Sequence, residues 1–326
     1  MENKMEFDKD SVFLVTGGAG FIGSNLCEKL VNEGYKVKCL DNLSNGFYSN
    51  IEKLLSFNNF TFIEGDILDY ELCEKVTQNV TYVLHQAAWG SVPRSIKMPL
   101  KYEEINIKGT LNMMEASKVN KVKKFVYASS SSVYGDSPFL PKREGIEGSV
   151  LSPYALTKSV NEQYGKLYSS LYGLETVGLR YFNVFGRQQN PNGDYAAVIP
   201  KFITKLLKKE DVIINGDGEQ SRDFTYIENV IEANLRAAIS GKESSGKSFN
   251  IACGDQITLN ELFSTLTKEL NLEDAKAIYG EDRVGDIKHS NADITEASKF
   301  LNYNPEYNFE KGIKEAITWY RDNLDI

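Results

Sequence analysis

The apolar run Ser11-Val12-Phe13-Leu14-Val15-Thr16 passes directly into Gly17-Gly18-Ala19-Gly20-Phe21-Ile22-Gly23, and an amphipathic stretch over 21–33 follows. Strand, glycine turn and helix in that order make a phosphate cradle. One glycine lets the backbone reverse, one lets it approach a pyrophosphate, and one lets the helix pack on the strand. The N–H groups that open a helix have no partner within it and face whatever lies at that end. Asp41-Asn42 closes the next apolar run, about 20 residues further on, where a carboxylate accepts from both ribose hydroxyls and repels a 2′-phosphate. These residues predict a dinucleotide site for NAD rather than NADP, formed by Gly17, Gly20, Phe21, Ile22, Gly23, Asp41 and Asn42. Asp66-Ile67, after the third run, is expected to bracket the adenine. Gln86-Ala87-Ala88, after the fourth, lets the backbone pass close to the cofactor.

Outward from that turn, β-branched runs at 11–16, 36–40, 60–64, 82–85, 124–129 and 176–180 alternate with amphipathic stretches, including 21–33, 100–119 and 153–172. Ser152 and Pro153 supply an N-cap and a first helical residue for the last of these. The alternation predicts an α/β, doubly wound parallel-sheet Rossmann fold over residues 1–180. Beyond Arg180, Gly and Asn clusters at 190–193 and 215–218 separate shorter elements, which predicts a smaller α/β C-terminal substrate lobe over 181–326. A helix at 228–239 and a strand at 248–251 would rejoin the first domain over about 224–258. Gly241-Lys242-Glu243-Ser244-Ser245-Gly246-Lys247-Ser248 matches a phosphate-loop pattern letter for letter. A helix precedes it and a strand follows, the reverse of what that loop requires, so it is expected to be a solvated connection.

Composition narrows the function classes. The net charge is −8, from 37 basic and 45 acidic residues, and an acidic body repels a polyanion, so no nucleic-acid partner is expected. Residues 1–6 show no signal-peptide core and no run of about 18 apolar residues occurs, which predicts a cytoplasmic protein with no membrane partner. Cys27, Cys39, Cys73 and Cys253 are scattered and only two histidines are present, so neither a metal site nor a disulfide framework is expected.

Tyr154-Ala155-Leu156-Thr157-Lys158 places a phenol and an ammonium one helical turn apart. A cation there is expected to lower the tyrosine pKa toward that of a general base for a sugar hydroxyl. The spacing alone is weak in a chain with 18 tyrosines, and Tyr307-Asn308-Phe309-Glu310-Lys311 repeats it in what reads as a surface segment. What distinguishes the first copy is Ser129-Ser130-Ser131-Ser132 at the end of the fifth run, on the carboxyl edge where such sheets bind ligands. A serine there either relays a proton to Tyr154 or satisfies its own backbone.

Taken together these residues resemble the extended short-chain dehydrogenase/reductase superfamily over essentially the whole chain, and most nearly its UDP-N-acetylglucosamine 4-epimerase branch. The segments that carry the likeness are 90–95, 129–135, 152–158, 180–186, 215–218, 221–223 and 283–293. The resemblance implies that Tyr154 is the base, that Lys158 anchors the nicotinamide ribose, and that Ser130 is the catalytic serine. It implies cofactor contacts from Asn106, Ser129 and Tyr181. It implies that Ser91, Ser130, Asn183, Val198, Asn215, Arg222, Arg283, Asp286 and Ser290 hold a UDP-sugar, with the arginines forking onto its pyrophosphate. Epimerisation at carbon 4 through a keto sugar would follow, with a homodimer paired through the helices near 100–119 and 153–172.

Ser131 and Ser132 stand where related dehydratases and decarboxylases carry acids, which disfavours those activities. Ser290 matches a gate position where a bulky tyrosine excludes N-acetylated sugars in related enzymes; the other reading is a helix N-cap. His289 reads as structural. A 4-epimerase of the N-acetylated uronic acid, a non-epimerising dehydrogenase and a non-catalytic NAD sensor are the competing functions. The sensor is disfavoured because both Tyr154 and Lys158 are present.

Overall fold

Each of the six runs forms a strand, and the strands lie side by side in one parallel sheet. The computed structural model describes residues 7–192, 196–281 and 288–324. In chain order the first half holds β1 (Val12–Thr16), α1 (Phe21–Asn32), β2 (Lys36–Asp41), β3 (Phe60–Glu64), α2 (Tyr70–Val76), β4 (Tyr82–His85), α3 (Val92–Lys97), α4 (Pro99–Tyr102), α5 (Thr110–Val119), β5 (Lys124–Ser130), α6 (Pro153–Tyr172) and β6 (Thr176–Tyr181). The second half adds β7 (Val184–Phe185), α7 (Val198–Leu207), β8 (Val212–Asn215), β9 (Ser221–Arg222), β10 (Thr225–Tyr226), α8 (Ile227–Ile239), β11 (Lys247–Ile251), β12 (Ile257–Thr258), α9 (Leu259–Leu270), β13 (Ala277–Gly280), β14 (His289–Ser290), α10 (Thr295–Leu301) and α11 (Phe309–Asn323).

The main sheet has seven strands in the order β3-β2-β1-β4-β5-β6-β11, parallel throughout. The chain runs outward from β1 to β3 and then returns to β4 on the other side of β1. The crevice where the order reverses lies outside the carboxyl ends of β1 and β4, the place where such sheets bind ligands. Both faces are covered, which is why the strands are apolar at nearly every position. Phe13 and Val15 pack with Leu26, Leu30, Ala233 and Ala237 on one face; Leu14, Val83 and Phe125 pack with Met113, Met114 and Tyr168 on the other. Full burial of one such side chain is worth ~1.5–3 kcal/mol.

Ser152 caps α6 by accepting from the Ala155 N–H at 3.1 Å, with Pro153 opening the helix. The stretch expected as one helix over 100–119 is interrupted. Residues Glu103–Gly109 take the wider π winding between α4 and α5. Inside it, the buried Asn106 carboxamide receives the Trp89 N–H at 2.8 Å and donates to the Trp89 carbonyl at 3.1 Å and to Thr157 Oγ1 at 3.1 Å. Such bulges recur where a helix serves a site. The phosphate-loop look-alike lies between α8 and β11 with only a short 3-10 turn, Lys242–Ser244, inside it. Among the described residues no helix is long and apolar enough to cross a membrane, and no cluster of His, Cys, Asp and Glu could hold a metal.

Candidate active site

A cavity of about 360 Å³ opens at the crevice between β1 and β4. Its wall takes in every residue expected to hold the cofactor except Asn106, which stands behind the wall and braces Trp89. The three glycines divide their work by position. Gly17 has φ +65°, and a Cβ there would stand 2.7 Å from the Ala87 nitrogen. At Gly23 a Cβ would stand 2.1 Å from the Gly17 carbonyl oxygen. At Gly20 the nearest atom is the Gly17 oxygen at 3.2 Å, so a side chain there would occupy the cavity instead. Gly20 caps α1 without a side-chain hydrogen bond, leaving the first-turn N–H groups for an anion.

Asp41 accepts from the Ala19 N–H at 2.9 Å and the Leu43 N–H at 2.8 Å. Each carboxylate oxygen retains a second lone pair for a ribose hydroxyl. Burial raises the Asp41 pKa, and those two amides oppose the rise. At the expected adenine end, Asn42 donates to Asp66 Oδ2 at 2.8 Å, and the buried Ile67 packs where Gly109 leaves room for it. At the other end Tyr181, Gln86 and Asn234 close a ring of hydrogen bonds: Tyr181 Oη donates to Gln86 Oε1 at 3.1 Å, and Asn234 Nδ2 donates to Tyr181 Oη at 2.9 Å. Glycine spacing, cradle and acidic strand end together fit NAD.

Tyr154, Lys158 and Ser129 sit on the wall at this end, with Ser130 beside Tyr154. The expected lowering of the Tyr154 pKa by Lys158 is not what the geometry produces. Burial raises the phenol above its ordinary value, a hydrogen bond with Ser130 opposes this, and neighbouring Tyr102 adds to the rise. Lys158 Nζ donates instead to the Ala128 carbonyl at 2.8 Å and lies 6.0 Å from the Tyr154 ring centroid. Burial pushes Lys158 itself down to about 8, against the raising effect of Glu162. Ser130 Oγ accepts from the Ser132 N–H at 3.2 Å and from Ser132 Oγ at 2.9 Å. With both lone pairs engaged, its single proton is left to point toward Tyr154 or a substrate oxygen.

His85, at the end of β4, is fully buried between Thr16 Oγ1 at 2.7 Å and Thr110 Oγ1 at 3.0 Å. Burial, helped by the Lys158 charge, pushes its pKa down to about 3. The folded imidazole therefore stays neutral between pH 6.5 and 3 while the unfolded one takes up a proton. The unfolded state binds more protons across that window, so stability is lost as pH falls, at about 1.4 kcal/mol per pH unit. The melting temperature should drop more steeply from pH 7 to 4 in the wild type than in His85→Asn. Equal slopes in thermal melts would contradict this.

The expected substrate residues are distributed differently. Arg222 and Ser290 are register partners in β9 and β14. Ser290 thus lies in a strand, and α10 is capped by Ile294, which removes the N-cap reading. Asn183, at φ +34°, donates to the Asp223 carbonyl at 3.1 Å. Buried Asp223 accepts from the N–H groups of Cys253, Gly254 and Ala292, stitching this corner together, and burial raises its pKa to about 6. Ser91 caps α3, Val198 opens α7 and Asn215 ends β8, on three separate elements. Arg283 and Asp286 lie outside the described residues.

Among the wall residues that sequence reasoning missed are Trp89 and Asn45. The Arg94 guanidinium lies 4.5 Å from the Trp89 ring centroid, while its Nη1 donates to Asn45 Oδ1 at 3.1 Å, tying the loop after β2 to α3. A tryptophan following Ala87-Ala88 was the available signal. His289, expected to be structural, pairs with Ser221 Oγ at 2.9 Å.

Residues 13–252 match the NAD dependent epimerase/dehydratase family. Among solved structures, the UDP-N-acetylglucosamine 4-epimerase from Methanobrevibacter ruminantium M1, in complex with UDP-N-acetylmuramic acid, is 40% identical, with a TM-score of 0.92 over 97% of this chain and 100% of its own. The UDP-glucose 4-epimerase of Thermotoga maritima with UDP-glucose is 36% identical, with a TM-score of 0.90 over 96% of this chain and 100% of its own. A UDP-glucuronate 4-epimerase of Thermodesulfobacterium geofontis is 36% identical over 325 residues, 96% of this chain and 97% of its own length. Likeness at this level to 4-epimerases of three UDP-sugars, over nearly the whole of each, makes this chain a member of the NAD dependent epimerase/dehydratase family and of its NAD-dependent UDP-sugar 4-epimerases.

Proposed function

We propose that this chain interconverts UDP-GlcNAc and UDP-GalNAc. The observation that carries the reading is Ser290, a small residue directly opposite Arg222 in the β9–β14 pair. A side chain of that size leaves room for an N-acetyl group beside an arginine suited to the substrate pyrophosphate. The 40% identical neighbour from Methanobrevibacter ruminantium M1, itself a UDP-N-acetylglucosamine 4-epimerase, supports the same substrate class.

In this reading Tyr154 takes the proton of the sugar 4-hydroxyl while Ser130, its proton directed by Ser132, holds that oxygen. Lys158 binds the nicotinamide ribose from the floor of the cavity. Bound NAD supplies a reversible acceptor for the hydride of carbon 4. Arg222, Asn183 and Ser91 hold the UDP-sugar while the 4-keto sugar turns over about its pyrophosphate linkage. Tyr154 then gives back the proton to the 4-oxygen as carbon 4 takes back the hydride on its opposite face, so no net redox change remains. Ser131 and Ser132 offer no acid to expel a hydroxyl, which favours epimerisation over dehydration.

The test is a panel of UDP-GlcNAc, UDP-GalNAc, their uronic acids and UDP-glucose, followed by anomeric proton signals, with wild type beside Ser290→Tyr. Wild type should interconvert the N-acetylated pair. The tyrosine should cut that activity by about 100-fold while sparing UDP-glucose, through overlap with the acetamido group. Wild-type turnover of the uronic acids alone would replace this reading with the uronate one.

A further inference from the structure

Tyr154, Lys158 and Glu162 recur every fourth residue on α6 and so share one face. The Glu162 carboxylate has partners on two strands. Its Oε1 accepts from Ser129 Oγ at 2.6 Å and from Arg180 Nε at 2.8 Å, and its Oε2 from Arg180 Nη2 at 2.7 Å. Ser129 and Arg180 are register partners in β5 and β6, so the carboxylate clamps both strand ends to the helix. Ser129 follows Ala128, whose carbonyl receives the Lys158 ammonium. The Ala128–Ser129 unit is thereby held at both ends, by Lys158 at its carbonyl and by Glu162 at its serine hydroxyl. We propose that Glu162 is a positioning residue for epimerisation, fixing the strand end on which the Lys158 ammonium rests and supplying its buried countercharge. The proposal rests on the reading of Lys158 as part of the catalytic site.

The groups facing Lys158 leave this task to Glu162. From α6 come Tyr154 and Glu162; from β4, His85, held neutral; from β6, Tyr181 on the shared wall, with Arg180 taken up by Glu162 and Glu147; and Tyr102 of α4 packs on the Tyr154 and Trp89 rings and receives Arg94 Nε at its hydroxyl. Glu162 is the carboxylate that raises the Lys158 pKa, and burial has brought that lysine down to about 8, close to working pH. Neutralising Glu162 therefore lets the ammonium lose its proton at lower pH.

Two variants separate charge from linkage. Glu162→Gln keeps the shape and removes the charge, whereas Ser129→Ala keeps the charged pair with Arg180 and removes the link. Both kcat/KM and NAD affinity, the latter by calorimetric titration from pH 6 to 9.5, should decline on the alkaline side in wild type. In Glu162→Gln both declines should begin about one pH unit lower. Ser129→Ala should keep the wild-type midpoint and lower kcat by about three- to tenfold through a loosened strand end. A folded Glu162→Gln whose declines stay at the wild-type pH overturns the proposal, as does wild-type kcat in Ser129→Ala, which decides alone if the glutamine variant does not fold. A displaced NAD-affinity curve with no sugar turned over by wild type would uphold Glu162's role and refute the epimerase reading instead.

Discussion

Tyr154→Phe should bind NAD within about twofold of wild type and lose UDP-sugar turnover by about 10³-fold, the upper range for loss of one general acid–base group. The substitution removes a single oxygen. The ring stays packed edge-on against Tyr102, whose centroid lies 6.3 Å away, and the remainder of the cavity wall is untouched. What is lost is the phenol hydroxyl that pairs with Ser130 on the wall beside Lys158. Neither neighbour substitutes for it. Lys158 is committed to the Ala128 carbonyl, and a serine hydroxyl is far too weak a base near neutral pH. Burial raises the phenol's pKa, and the hydrogen bond with Ser130 is what opposes the rise. Calorimetric titration with NAD beside an anomeric-proton turnover assay reads both halves of the expectation. A variant keeping a tenth of wild-type turnover would show that another group is the base.

Much of this site was legible because its parts are local. A strand, a glycine turn and a helix are consecutive, and Asp41 follows at the spacing a crossover dictates, so seven residues of the cavity wall could be named from one stretch. Ser152 and Pro153 announced the start of α6 in the same way. What stayed hidden joins residues that meet only through the sheet. Ser129, Glu162 and Arg180 are far apart in the chain and converge because β5 and β6 pair in register. Asn45 meets Arg94 from the loop after β2, Asn106 meets Trp89 behind the cavity wall, and no periodicity announces the π-wound turn that presents Asn106. The tyrosine–lysine spacing shows the same limit. Tyr307 and Lys311 repeat it, and Lys311 Nζ lies 3.8 Å from the Tyr307 ring centroid, yet that tyrosine packs against Tyr226 and neither residue is on the cavity wall. A short motif specifies how two side chains relate to each other, not where their helix docks. The electrostatic expectation for Tyr154 failed for a related reason. Sequence shows the nearby cation but not the carbonyl that holds it or the depth at which the phenol is buried.

Gly23→Ala should lower NAD affinity by about 100-fold, roughly 2.7 kcal/mol, and should also lower the melting temperature. The added methyl would stand 2.1 Å from the Gly17 oxygen and 2.8 Å from both the Gly17 carbonyl carbon and Gly18 Cα, all backbone atoms that no rotamer change can withdraw. The turn cannot retreat, because Gly17 already faces the Ala87 nitrogen at 2.7 Å from its own absent Cβ, in a conformation at φ +65°. Either α1 lifts from the sheet, opening the packing around Leu26 and Leu30, or the turn pushes into the space that would receive the pyrophosphate. Gly20→Ala provides the contrast. Its nearest backbone atom is 3.2 Å away, so the methyl asks for a shift of only a few tenths of an ångström and projects toward the cavity, which should reduce NAD affinity while costing far less thermal stability than Gly23→Ala. Two alanines three residues apart should therefore both weaken NAD binding, and Gly23→Ala should weaken the fold far more than Gly20→Ala. Melting curves without cofactor and calorimetric NAD titrations distinguish them. A Gly23→Ala protein that melts with wild type and binds NAD within twofold would mean that the turn yields where this packing says it cannot.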